Sequence, residues 1–212
     1  MLVALVSSLA TPASAVTVRI DFEADRGTPA VGWNLVDASD SGATIDLLDI
    51  TGADSGIDLG MPTVLDNGGA FDGWNDANPL PAWLPLEAAD DYVYSTANNT
   101  NFRFRGLDPS LTYDITLVVS RDLSRSQDMR WVAGNGDFDV NDWDSQVDGY
   151  LAGNVVTWSG IAPTATGDLR LRVRRNDASV AVNALQIRSV AEPAPLALLA
   201  MAGLSWGVLR RS

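Results

Sequence analysis

The chain has 212 residues, with 14 Lys and Arg against 27 Asp and Glu, no His, and a net charge of −13 at neutral pH. Every cation is an arginine, and cysteine is absent. The missing His and Cys exclude a Ser-His-Asp triad, a His-based zinc site, thiol nucleophiles and disulfides, while the acidic surplus opposes nucleic acid and anionic lipid and suits calcium, neutral glycans or a salty exterior.

In chain order, Leu2–Ala10 is a compact apolar stretch, and Ala13-Ser14-Ala15 is a small-residue A-x-A cleavage signal. Residues 1–15 therefore read as a signal peptide, and the exported chain is expected to begin at Val16. Residues 16–190 carry a period-two signal. Val16-Thr-Val-Arg-Ile-Asp alternates, as do Phe102 and Phe104 with Arg103 and Arg105. Tyr113, Ile115, Leu117 and Val119 alternate with their neighbours, and Leu169, Leu171 and Val173 alternate with Arg170, Arg172 and Arg174. Val155–Trp158 and Val182–Ile187 are further strand-like runs. Each pattern puts one face in a core and the other in water, which predicts an all-β fold, an antiparallel, jelly-roll-like β-sandwich. Turn residues separate the runs at Asn67-Gly68-Gly69, Gly134-Asn135-Gly136 and Asn176-Asp177. The Gly-, Asp- and Asn-rich stretch from Asp66 to Asn78 reads as a surface loop. Leu107-Asp108-Pro109 ahead of Tyr113 has the order of a tyrosine corner, with an ordinary core tyrosine as the alternative.

Three groups of residues could carry chemistry. Asp137, Asp139, Asn141 and Asp148 place oxygen ligands at positions 1, 3, 5 and 12 of a calcium loop. Position 6 is Asp142, where an EF-hand needs Gly, so the reading is an irregular calcium loop or a solvated acidic one. Trp33, Trp74, Trp83 and Trp143 lie in polar surroundings. An indole face stacks on a pyranose while nearby Asp and Asn serve its hydroxyls, so these are candidates for glycan contact, with anchoring in the core or loops as the alternative. Trp131 and Trp158, on strand-like runs, are expected in the core. Paired carboxylates could serve a glycosidase, yet Glu23 and Glu87 form no recognisable dyad, and the adjacent Asp90 and Asp91 would point to opposite faces of a strand. No enzymatic activity is expected.

The end of the chain is an address. Leu196–Leu209 is uncharged and rich in helix-forming residues, and Pro193 and Pro195 precede it. As a helix it would be roughly 21 Å long, against about 30 Å of bilayer hydrocarbon. Arg210 and Arg211 are expected on the cytoplasmic side, which places the bulk of the chain outside. Setting the tail aside removes two cations and Glu192, leaving 12 Arg against 26 acids in the domain. Glu192, Pro193, the apolar run and Arg210-Arg211 together resemble the PEP-CTERM sorting signal of exported bacterial proteins. That family's tripeptide is Pro-Glu-Pro, and this chain has Ala191-Glu192-Pro193. The resemblance covers residues 191–212 and implies an exosortase-like membrane protease and the export machinery as partners, with a transmembrane helix engaging the membrane.

The opening strand, the Trp- and Gly-rich loops and the closing Val182–Ile187 run are similar in style to the galactose-binding-domain-like β-sandwich. That resemblance implies sugar contact through loop residues and a structural calcium. The sequence as a whole predicts an exported component of the cell envelope, surface or exopolysaccharide matrix, with a carbohydrate-binding module as the alternative and no nucleic-acid partner.

Overall fold

Sheets with one apolar face must bury those faces against each other. The computed structural model describes residues 15–23, 29–62, 65–68, 80–85, 88–89, 92–119, 126–144, 155–176 and 180–190. Among these, the first strands in chain order are β1 (Thr17–Phe22), β2 (Asn34–Val36), β3 (Thr44–Leu48), β4 (Asp54–Gly60), β5 (Asp66–Gly68), β6 (Tyr92–Ser95) and β7 (Asn99–Arg105). They are followed by β8 (Thr112–Val118), β9 (Ser126–Ala133), β10 (Gly136–Asp144), β11 (Val155–Ile161), β12 (Leu169–Arg175), β13 (Val180–Val182) and β14 (Ala184–Val190). The expected signal peptide, up to Ser14, and the tail from Ala191 lie outside the described residues. Among the described residues no helix is long and apolar enough to cross a membrane.

Three sheets result. The five-stranded sheet has the order β11-β8-β14-β1-β2, the six-stranded sheet β10-β9-β12-β7-β4-β3, and a small one β13-β6-β5. The protein is an all-β sandwich, and its strand pairs are antiparallel except β1 with β2, which run parallel. A parallel pair requires a crossover connection rather than a tight turn, and the chain from Glu23 to Trp33 supplies that length.

Alternation becomes burial where expected. Along β12, Leu169, Leu171 and Val173 are buried while Arg170, Arg172 and Arg174 are exposed. Between the two large sheets, Phe22 meets Phe102 edge-on at 5.3 Å. Trp131, fully buried, lies 5.8 Å from Phe104 and 6.0 Å from Trp158. Trp131 and Trp158 are thus core residues, as the sequence predicts. Truncating a ring of this kind to alanine costs on the order of 3–5 kcal/mol.

The tyrosine corner is present. The Asp108 backbone N–H donates to the Tyr113 hydroxyl at 2.8 Å, tying the start of β8 to the turn before it. Burial raises the Tyr113 pKa, and this hydrogen bond partly offsets the rise.

Two local expectations fail. Val182–Ile187 is not one strand but two, broken at the buried Asn183. Its N–H donates to Val118 O at 3.1 Å and its carbonyl accepts from Phe22 N–H at 2.7 Å, so the chain changes sheets there without leaving a backbone group unpaired. Asp66–Gly68 is a strand paired with β6 rather than the start of a loop; residues 69–79 lie outside the described residues.

Candidate functional site

On the outward face of the five-stranded sheet, Thr157, Thr116, Gln186 and Arg19 stand in register across β11, β8, β14 and β1. The two threonine hydroxyls are 2.9 Å apart, and Arg19 Nε donates to Gln186 Oε1 at 3.1 Å. Farther along the same face, Val118 and Ala184 are covered by Trp33, Leu84, Ala88 and Ala89, a second apolar cluster. Pro81 and Pro85 hold the covering segment in two turns, closed by Leu84 N–H to Pro81 O at 2.9 Å and Ala88 N–H to Pro85 O at 3.2 Å. Asn183 Nδ2 anchors it by donating to Ala89 O at 3.1 Å.

This packing brings together two of the four candidate tryptophans. Trp33 and Trp83 stack with centroids 5.9 Å apart and planes 18° from parallel. The Arg19 guanidinium carbon lies 5.8 Å from the Trp33 ring centre, within cation–π range. Trp33 is buried and Trp83 only half-buried. The outer ring is thus Trp83, with Trp33 beneath it as support. Trp74 lies outside the described residues. Trp143 sits on β10 opposite Gln127, far along the other sheet in register from any of these.

Asn34, which follows Trp33, is spent internally. Its Nδ2 donates to Arg19 O at 2.9 Å and Leu48 O at 2.8 Å, and its Oδ1 accepts from Leu48 N–H at 2.8 Å. The amide acts as a piece of backbone joining β1 to β3, so it is not a free partner for a sugar hydroxyl.

The acidic segment proposed as a calcium loop is largely a strand. Gly136–Asp144 pairs with Ser126–Ala133, with Asp137 opposite Val132, Asp139 opposite Arg130, and a register shift between Val140 and Trp143. The Asp137 carboxylate is ion-paired with Arg130. Asn141 falls within the register shift, and Asp148 lies outside the described residues. A strand is extended where a cation loop must curl its ligands inward, so along its described part this segment has the backbone of a strand and not of a loop. Among the described residues no three carboxylates converge closely enough to hold a metal.

The outward face of the six-stranded sheet was not singled out by the sequence. Arg170, Arg172 and Arg174 on β12 lie beside Asn99, Asn101 and Arg103 on β7, with Arg170 opposite Arg103 and Arg172 opposite Asn101. Arg103 binds Asp168 through Nε at 3.1 Å and Nη2 at 3.0 Å. The Thr166 hydroxyl, at 2.7 Å, and then Arg103 hold the Asp168 carboxyl below the usual carboxylate range, against desolvation. A depression of about 210 Å³ opens here, between Arg103, Val132, Arg170 and the turn carrying Thr164, Thr166 and Asp168. Gly167 forms that turn with φ +76°, and a Cβ there would collide with Leu107 O. The signal was visible in Arg103/Arg105 and Arg170/Arg172/Arg174, but only as two solvent faces. Their adjacency is a product of sheet order.

At the other edge of this sheet, Asp46 and Asp58 stand opposite each other on β3 and β4. Desolvation, then a hydrogen bond from Asp46 and its charge, raise the Asp58 pKa, while Arg105 pulls it down. This is a carboxylate pair that linear spacing does not reveal.

No protein-family model matches the sequence, and no curated protein matches it. Among solved structures, the chain is similar to TmCBM61 in complex with β-1,4-galactotriose, at 8% identity and a TM-score of 0.30, over 65% of this chain and 90% of that one. It is also similar to the enzymatically active domain of tailspike protein 4 of bacteriophage CBA120, at 14% identity and a TM-score of 0.29, over 63% of this chain and 18% of that one. No residue of this chain takes a role from either likeness.

Proposed function

We propose that this is a non-enzymatic, polysaccharide-associated protein of the cell surface or extracellular matrix, whose sandwich contacts sugar at Trp83. The observation that carries the reading is the stacked Trp33–Trp83 pair beside the Arg19, Gln186, Thr116 and Thr157 row. A supported indole offers a flat apolar platform, and fixed polar groups next to it suit the hydroxyls of a pyranose. Export rests on the sequence: the A-x-A site after Leu2–Ala10, and the tail at Glu192, Pro193, Arg210 and Arg211 that would bring in an exosortase-like protease. The non-enzymatic reading rests on the sequence, which has no His or Cys and, in Glu23 and Glu87, no recognisable acidic dyad.

Affinity electrophoresis of the full chain through gels containing neutral galactan or glucan tests the platform. Trp83→Ala should weaken retardation by about tenfold while Trp83→Phe, which keeps a ring, retains most of it. Equal retardation of the wild type and Trp83→Ala would contradict the reading.

A further inference from the structure

The chain as a whole is strongly acidic, yet five of its arginines share one strip of surface. β12 presents Arg170, Arg172 and Arg174 outward, and the adjacent β7 presents Arg103 and Arg105. The remaining outward positions of these two strands are Asn99 and Asn101, so neither strand places a carboxylate on this face. Acids border these two strands: on β9 Asp128 stands opposite Arg174, on β4 Asp58 stands opposite Arg105, and Asp168 binds Arg103, with Asp137 on β10 and Asp46 on β3 farther out. Side chains two residues apart on a strand are about 7 Å apart, and neighbouring strands lie about 4.8 Å apart. The five guanidinium groups are thus close neighbours along two adjacent strands, with Arg130 of β9 opposite Arg172. Among the described residues, no ion pair joins Arg170 or Arg174 to a carboxylate. Arg172 is oriented by Asn99 Oδ1, to which its Nε and Nη2 donate at 3.1 and 2.8 Å.

We propose that this strip binds an anionic polysaccharide bearing carboxylates on its sugar rings. Guanidinium groups pair with carboxylates in a planar, two-bond fork. In the depression at one end the Thr164 and Thr166 hydroxyls are engaged with each other and with Asp168, whose carboxylate Arg103 binds, which leaves the Arg170 guanidinium for a carboxylate and the side chain of Val132, at 38% exposure, for a ring face. The turn that builds it is locked by Leu107 N–H to Gly167 O at 3.2 Å and Thr164 N–H to Asp168 O at 2.9 Å. Among the described residues no exposed aromatic ring lies on this face, which disfavours single-stranded nucleic acid, because its bases need stacking partners. The net negative charge does not forbid an acidic polymer. At physiological salt, fields fade over about 8 Å, so a chain lying on the strip meets the arginines and not the molecular mean.

The strip lies on the sheet opposite the tryptophan pair and is independent of it. The test uses the full chain and polygalacturonate, with methyl-esterified polygalacturonate, single-stranded DNA and polyphosphate as comparators, in calorimetric titrations at several salt concentrations. The expected result is binding to polygalacturonate that weakens as salt rises and is lost on esterification. Arg170→Gln/Arg174→Gln should weaken it about tenfold at an unchanged melting temperature, and Trp83→Ala should leave it intact. The proposal is overturned if DNA or polyphosphate binds as tightly as polygalacturonate, or if the arginine variant binds as the wild type does. It is also overturned if that variant only dissociates a self-associated form. Neutral-glycan binding lost in Trp83→Ala, together with no polygalacturonate binding, would sink this proposal and leave the sugar platform standing.

Discussion

Asn34 shows how a single polar residue can be structural while sitting in a motif that looks like a ligand site. Its amide satisfies Arg19 O, Leu48 O and Leu48 N–H. Asn34→Ala would leave those partly buried groups without this partner, and unpaired backbone groups cost about 1–3 kcal/mol each when buried. With some relaxation, a loss of roughly 3 kcal/mol is expected in denaturant unfolding. A loss below 1 kcal/mol would mean that the amide is not the link between β1 and β3. Asp58 makes the opposite kind of contribution. Its folded pKa is raised above the usual carboxylate value, so the folded state holds its proton more tightly than the unfolded chain. Stability therefore falls as pH rises from the unfolded carboxylate pKa through the raised one, and the cost persists at neutral pH. Asp46→Asn should recover roughly 0.5 kcal/mol at pH 7, a modest figure because solvent screens the pair, and nothing below that window. Asp114, lowered chiefly by its hydrogen bond to Arg188, and Asp168 act in the other sense. Their contribution is full above the ordinary carboxylate range and is lost as pH falls through their lowered values. A stability profile of Asp46→Asn parallel to the wild type at all pH values would contradict the assignment for Asp58.

At the scale of elements, alternation was legible wherever a strand buries one full face. The strands β1, β7, β8, β11 and β12 follow directly from the apolar positions at Val18, Phe102, Ile115, Trp158 and Leu171 and their neighbours. β3 was not legible, because Leu47 is its only fully buried residue. β4 carries Gly56, Asp54 and Asp58, which resemble turn residues in a linear reading, although Ile57 and Leu59 are buried. β10 was not legible as a strand for a related reason: it is an edge strand, and edges resist pairing with other chains by carrying charge. The same logic explains Asp46 on the opposite edge. Local pattern also cannot show which strands become neighbours. β12 follows β11 in sequence but pairs with β7 and β9, and that long-range choice is what assembles the arginine strip. Trp33 and Trp83 are likewise distant in sequence, and the turns at Pro81 and Pro85 help to carry one ring onto the other.

For the whole molecule, mean charge hides how charge is distributed over the surface. A net charge of −13 suggests a surface that repels polyanions, but the fold gathers Arg103, Arg105, Arg170, Arg172 and Arg174 on two adjacent strands of the six-stranded sheet, bordered by Asp58, Asp128 and Asp168. The fold class itself was legible from composition and period, down to the tyrosine corner. The candidate sites were legible in part: two of four tryptophans meet, while the oxygen quartet lies along a strand and beyond the described residues. Destination rests on the two termini. Fractionating producing cells, with intact-mass and terminal-peptide analysis of the recovered protein, bears most directly on a surface or matrix protein. The expected result is a chain starting at Val16, recovered with the envelope or the exopolysaccharide. A chain still beginning at Met1, free in the cytoplasmic fraction and absent from the polysaccharide, would contradict it.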